Sequence, residues 1–174
     1  CITATVSQVE PGRGTVTLIY DKTELYLFRN EQIPGEVLKE GQSVKVYITG
    51  IANKQKKPII KISRAHRDLV KRLFELEVPE IYDGTVEVMA ISREAGARTK
   101  IAVQSHDPNV DAVGACIGPK RSRITAVVNE LNGEKIDIIN WDENPAILIE
   151  NALSPAKVIA VMADPDEKTA SVIV

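Results

Sequence analysis

The sequence predicts a chain of more than one domain, an all-β barrel followed by an α+β unit, and three observations predict it. Apolar residues alternate with polar ones at a period of two until about Ser63. Helical spacing of apolar residues begins only after that point. Near the end a second helix and hairpin echo the first, with Val161-Met162-Ala163 repeating Val88-Met89-Ala90. The expected division is residues 1–63 as the barrel, 64–153 as the α+β unit and 154–174 as the start of a second copy of that unit.

In the first region Ile2, Ala4 and Val6 alternate with Thr3 and Thr5, and Val16, Leu18 and Tyr20 follow the turn Pro11-Gly12-Arg13-Gly14. Residues 25–28, 44–48 and 59–62 continue the pattern, giving five short strands separated by Gly, Pro and Asn. That is the signature of a small barrel or sandwich. Ser63 is then expected to cap a helix running to about Leu76, with Leu69, Val70, Leu73 and Phe74 on its apolar face and Pro79 ending it. A hairpin is expected over 85–103, a short helical stretch over 110–115 and a tight turn at Gly118-Pro119-Lys120-Arg121. A helix with Ile124, Val127, Val128 and Leu131 on one face follows and stops at Gly133. Residues 135–141 form a strand, and Asn144-Pro145 opens a helix through Leu153 that Pro155 closes.

The chain has 174 residues, 44% apolar and 26% charged, which is ordinary for a globular protein. No apolar run approaches the roughly 20 residues needed to span a bilayer, so no membrane partner is expected. Two cysteines, Cys1 and Cys116, cannot build a disulfide framework, which points to a reducing cytoplasm. Cys1 stands where a native start would carry Met, so a fragment is expected. The net charge of −2 announces no global attraction for nucleic acid. The cations are clustered instead: Lys54, Lys56, Lys57, Lys61, Arg64, Arg67, Lys71 and Arg72 lie in one stretch with Asp68 as its sole acid, and Lys120, Arg121 and Arg123 form a second knot.

That second knot is the most informative stretch. Gly118, Pro119, Lys120, Arg121, Ser122 and Arg123 place a glycine turn and three cations at the start of a helix. Cations there oppose the helix dipole and cost stability unless an anion is near. Free backbone N–H groups beside a glycine describe a phosphate-binding turn; an exposed turn whose charges aid solubility is the competing reading. His66 and His106 lack cysteine partners at ligand spacing, so no metal or cofactor is expected. Asp137 alternates with isoleucines, Asp142 and Glu143 precede a helix start, and Cys116 reads as a small buried residue. No nucleophile elbow, Walker loop or dinucleotide fingerprint is present, so no enzyme is expected.

Longer strings carry a resemblance. Leu73-Phe74-Glu75-Leu76-Glu77-Val78-Pro79-Glu80-Ile81, Arg93-Glu94-Ala95-Gly96, Gly114-Ala115-Cys116-Ile117-Gly118-Pro119 and Gly133-Glu134-Lys135-Ile136-Asp137-Ile138 resemble the NusA family of bacterial transcription factors. Asn151-Ala152-Leu153-Ser154-Pro155-Ala156 is similar to the start of that family's second KH domain, and Glu31-Gln32-Ile33-Pro34-Gly35-Glu36 to its S1 domain. The resemblance implies an S1-type barrel of the OB-fold class and a type II KH domain, binding nascent single-stranded RNA as a monomer alongside RNA polymerase and other Nus-type factors, to modulate pausing, termination and antitermination. It assigns the phosphate grip to the turn 118–123 and an apolar base groove to Ile117, Ile124 and Ile138. Arg98, Lys100, Lys54, Lys56, Lys57, Lys61, Arg64 and Arg67 are secondary basic candidates, and Tyr20, Tyr26, Phe28 and Tyr47 are the barrel's candidate stacking residues. One departure stands out. The family's loop carries a second glycine where this chain has Arg121, whose side chain blocks close backbone approach. Two rivals follow: a protein-interaction scaffold with weakened RNA binding, and an appendage of RNA-degrading machinery that also combines S1 and KH units.

Overall fold

The computed structural model describes residues 1–55 and 57–174; Lys56, one of the expected basic candidates, lies outside the described residues. Strands β1 (Ile2–Val9), β2 (Val16–Tyr20), β3 (Thr23–Leu27), β4 (Ser43–Lys54) and β5 (Lys57–Ser63) form one antiparallel sheet in the order β3-β2-β1-β4-β5. The edge strands β3 and β5 lie against one another, which curls the sheet into a nearly closed OB-like barrel. Register shifts at Val6/Gln8 and Ile48/Gly50 supply the local bends such closure requires. Period-two alternation puts Ala4, Val6, Val16, Leu18, Leu25, Leu27, Val44 and Val46 inside. The strand expected to stop near Ile48 runs on to Lys54, because Gly50 sits at the bulge rather than ending the pairing.

The second unit comprises α1 (Arg67–Glu77), α2 (Pro79–Tyr82), β6 (Val86–Glu94), β7 (Arg98–Ser105), α3 (Ala112–Ile117), α4 (Ser122–Glu130) and β8 (Lys135–Asn140). β6 pairs antiparallel with β7, and β8 returns through α3 and α4 to pair parallel with β7. Leu69, Val70, Leu73, Phe74, Ile101, Val103, Cys116, Val127 and Leu131 fill the space between helices and sheet. Burial pushes the Cys116 thiol up to about 12, with Glu80 adding to the effect. Beyond β8, α5 (Pro145–Leu153) leads to an antiparallel hairpin of β9 (Ala160–Asp164) and β10 (Thr169–Ile173). Among the described residues no helix is long and apolar enough to cross a membrane.

The start of α1 corrects the sequence reading. Its N-cap is His66, whose Nδ1 accepts from Asp68 N at 3.0 Å, and not Ser63. Ser63 Oγ instead accepts from Ala65 N and His66 N, both at 3.0 Å, and turns the chain between the two units. That turn sends Arg64 inward. Its side chain is 1% exposed, and all five of its N–H donors are used. Nε and Nη2 hold the two carboxylate oxygens of Glu36 at 2.8 and 2.5 Å, Nη1 reaches Lys45 O at 2.6 Å and Glu130 Oε1 at 3.0 Å, and Nη2 also meets Glu130 O at 2.8 Å. Glu130 further accepts from Lys45 N at 2.8 Å, tying the end of α4 to β4. Burial works to lower the Arg64 pKa, but hydrogen bonds and charge from Glu36 and Glu130 outweigh it and the pKa is raised.

A second buried network lies beside the first. Arg93 and Glu134, with side chains 1% and 0% exposed, pair at 3.1 Å. Glu134 also accepts from Gly96 N at 2.8 Å and from Thr99 Oγ1 at 2.7 Å, while Arg93 donates to His66 O at 2.8 Å. Gly96 itself has φ +81°, and a Cβ there would lie 2.8 Å from Pro34 O, so the hairpin tip fits against the barrel only as glycine. Ile33, from the barrel's long loop, is buried in the second unit's core. The two units therefore meet through packed, hydrogen-bonded contacts.

Two outcomes follow from the joint. Arg64→Met, which strands Glu36 and Glu130 without their cation, is expected to destabilise by roughly 3–5 kcal/mol in urea unfolding; a loss under about 1 kcal/mol would refute the buried network. Alkylation of the native chain with iodoacetamide at pH 8 is expected to label Cys1, which is exposed, and to spare Cys116 until denaturant is added.

Candidate nucleic-acid interface

The turn between α3 and α4 is built by local backbone chemistry. Gly118 ends α3 with φ +73° and ψ 171°, donating N–H to Gly114 O at 3.0 Å. Pro119 follows, and then Lys120 (φ 51°, ψ 31°) and Arg121 (φ 62°, ψ 21°) both adopt the left-handed conformation. Two successive non-glycine residues there cost on the order of 1 kcal/mol each. Arg121 caps α4 without a side-chain acceptor, so the helix start offers positive potential rather than a local carboxylate or hydroxyl. Lys120 and Arg121 are exposed, and among the described residues neither has an ion pair.

Arg123 takes a different place. Its aliphatic stem folds under the turn, where a Cβ on Gly118 would lie 2.5 Å from Arg123 Cγ. Its Nη1 donates to Ala115 O at 2.7 Å and to Glu80 Oε2 at 2.9 Å, and its side chain is 24% exposed. The residue closes the C-terminal end of α3 and braces it to α2, so this expected phosphate cation is held in an intramolecular ion pair and does not stand free in solvent. Ser122 begins α4 in the ordinary right-handed conformation and is exposed.

Beside the turn runs a shallow groove of about 230 Å³ lined by Ile117, Ile124, Ile138 and Ile139, with Arg121 and Asp137 as its charged members. All three isoleucines expected to frame bases therefore line one groove. Ile124 is also core, while Ile117 and Ile138 are half-buried and form the accessible floor. Ser154 and Pro155, just past α5, complete the wall. Asp137 was legible only as an acid alternating with isoleucines, and the parallel pairing of β7 with β8 is what sets it opposite Lys100 and next to Arg98. Its Oδ2 accepts from Arg98 Nε at 2.7 Å. That pairing, hydrogen bond first and charge second, raises the Arg98 pKa. Lys100 Nζ donates to Ala152 O and thereby fastens the end of α5 to the sheet. Both secondary cations on the hairpin thus have intramolecular partners.

The basic stretch after Lys54 does not form one track. Lys54 and Lys57 flank the tip of the β4–β5 arm and Lys61 faces outward on β5. Arg64 is buried in the joint, which corrects its assignment to a phosphate path: with five donors occupied and 1% of its side chain exposed, it cannot reach a ligand. Arg67 opens α1 on an outer face near Lys71 and β6. The turn at Ser63 divides the stretch, since residues before it follow a strand and residues after it a helix.

A second surface lies on the barrel. Tyr26 and Phe28, 46% and 57% exposed, border a pocket of about 200 Å³ with Thr49, Ile59, Ile60 and Lys61. The Tyr26 hydroxyl donates to Glu24 Oε2 at 2.9 Å, a hydrogen bond that raises its pKa. Tyr20 is also exposed, whereas Tyr47 stacks on His66 at 4.9 Å and belongs to the joint. Exposed aromatic faces beside a lysine are suited to stacking on planar ligands.

The family model described as NusA-like first KH domain matches residues 64–141. The chain is similar to proteins named transcription termination/antitermination protein NusA. It is 54% identical over 153 residues to that of Bacillus subtilis, covering 88% of this chain and 41% of the relative. It is 49% identical over 171 residues to that of Thermus thermophilus, covering 98% and 44%. To that of Mycobacterium tuberculosis it is 50% identical over 145 residues, covering 83% and 42%. The chain thus spans about two-fifths of the length of these relatives. An OB-like barrel followed by residues that match a NusA-like first KH domain, along a sequence half identical to these relatives, gives one conclusion: the chain corresponds to a part of the NusA proteins, relatives named for transcription termination and antitermination.

Proposed function

We propose that this chain binds single-stranded RNA, holding the backbone at the Gly118–Ser122 turn and bases along the isoleucine groove. The carrying observation is the turn itself: two exposed, left-handed cations, without an ion pair among the described residues, beside a glycine at a helix start and opening onto an apolar groove. Strained backbone of this kind persists where the surroundings hold it for a purpose. A phosphate would relieve the unfavourable approach of Lys120 and Arg121 to the positive end of α4. Tyr26, Phe28 and Lys61 form a second, stacking contact on the barrel, and the packed joint keeps the two surfaces in fixed relation.

In a NusA protein the bound strand is the nascent transcript, and holding it modulates pausing, termination and antitermination by RNA polymerase. The name that the relatives carry supports this, and so do the two modules, both of kinds used for single strands. Residues 154–174, with a hairpin after a helix as in the first unit, are the beginning of a second KH unit, and the chain works as a cytoplasmic monomer beside polymerase and other Nus-type factors. One observation favours a second reading, a scaffold that docks on the transcription machinery with weakened RNA binding: Arg121 carries a side chain where the family's second glycine lets a backbone approach.

Polarisation titration with an unstructured RNA at several salt concentrations separates the readings. RNA binding predicts affinity that falls with salt, and Lys120→Ala is expected to weaken all sequences alike and to reduce the salt slope by about 0.7, one phosphate's worth for a single strand. No appreciable affinity at low salt would establish the scaffold instead. Phe28→Ala, at an exposed position, is expected to leave stability within about 0.5 kcal/mol and to cost about 1 kcal/mol or more of binding.

A further inference from the structure

Arg121 is the feature of this chain that the general reading absorbs least. If it served only as a charge, its side chain could extend into solvent as that of Lys120 does, which lines no groove wall. Instead Arg121 borders the groove itself, above Ile117 and Ile138. Its left-handed backbone at the start of α4 fixes the direction from which the side chain enters. Among the described residues its guanidinium has no carboxylate or carbonyl partner, in contrast to Arg64, Arg93, Arg98 and Arg123. The second charged member of the groove, Asp137, is held in orientation by Arg98 at its Oδ2, and its Oδ1 has no hydrogen bond among the described residues.

We propose that Arg121 and Asp137 make this groove selective for guanine. The inference rests on the RNA reading above and adds a base preference to it. An apolar floor accepts any base by its flat face, so discrimination has to come from the groups at the rim. The rim here offers a planar fork of donors from Arg121 and a carboxylate acceptor from Asp137. Guanine carries the complementary set: acceptors at O6 and N7 for the guanidinium, and donors at N1–H and the N2 amino group for the carboxylate. Adenine presents its N6 amino group where guanine has O6, setting donor against donor, and has no N1–H for Asp137. Cytosine places an amino group and an unprotonated ring nitrogen there. Uracil, with O4 and N3–H, satisfies part of the set and ranks second. A lysine at 121 would keep the charge but lose the fork.

The test is a polarisation titration of the chain against oligoadenylates carrying one guanosine at successive positions, with 7-deazaguanosine, inosine and uridine at the preferred position. The expected result is one register in which guanosine binds roughly tenfold or more above adenosine, with uridine between them. 7-Deazaguanosine, lacking N7, and inosine, lacking the N2 amino group, each lose part of that advantage. Arg121→Lys keeps the charge and with it the salt slope, but loses affinity for the guanosine oligonucleotide and brings it to within about twofold of adenosine. Arg121→Gly, which the left-handed backbone accepts, also levels the two bases and lowers affinity for every oligonucleotide. Asp137→Asn removes the inosine penalty. Equal affinity of the unaltered chain for guanosine and adenosine in every register would overturn the guanine proposal while leaving RNA binding intact. A ratio unchanged by Arg121→Lys would overturn the assignment to this residue. Failure to bind any of these oligonucleotides would overturn the RNA reading, and this inference with it.

Discussion

Arg64 is the constraint on which the rest of the molecule depends. A guanidinium withdrawn from water is tolerable only when its donors are all met, and here Glu36, Lys45 O and Glu130 meet all five. Those partners come from a barrel loop, a barrel strand and the end of a helix in the KH unit, so folding either unit incompletely leaves charge buried without a partner. The geometry also explains how two small cores act together. Neither is large, and the shared polar network with Ile33 inserted into the second core fixes their orientation in place of a broad apolar interface. A buried ion pair contributes specificity of arrangement here more than net stability.

The Arg93–Glu134 pair extends the same logic to the site. Glu134 immediately precedes β8, and β8 carries Asp137 and Ile138 into the groove. The Gly96 N–H and the Thr99 hydroxyl both anchor Glu134, so the register of β8 against β7 is set from within the core. Arg123 does for α3 and α4 what Glu134 does for the sheet: it fixes the crossing beneath the turn by joining Ala115 O to Glu80. The exposed cations of the turn are thereby held by contacts whose own side chains are buried or half-buried. Preorganisation of this kind lowers the ordering cost of binding a flexible strand.

The strings by which the chain resembled its family turn out to be largely these joints. Glu36 and Ile33 lie in one of them, Arg93 and Gly96 in another, and Glu134 in a third. What identified the family was therefore mostly how its two units are fastened together. Of those strings, Gly118, Pro119, Asp137, Ser154, Pro155 and their groove isoleucines are the parts that belong to the site proper. Arg64 shows why a linear reading misplaces cations. Eight basic residues in one stretch look continuous on paper, yet a hydroxyl turn at Ser63 divides the described ones between barrel, interior and helix surface.

By itself the sequence determined the class of each unit, the order of its elements, most of the core and the position of the glycine turn. Each of these is written in local spacing, in period-two and period-3.6 patterns and in the residues that stop them. The grouping of Ile117, Ile124 and Ile138 came from the family resemblance and not from spacing, and the packing of α3, α4 and β8 is what lines one groove with all three. Only the tertiary structure decided which cations are free. Arg64, Arg98, Lys100 and Arg123 have partners more than seven residues away in the chain, and Lys120 and Arg121 have none among the described residues. Spacing reveals which face of an element a side chain occupies. It does not reveal what stands opposite, and for a charged group in low dielectric the opposite partner determines its role.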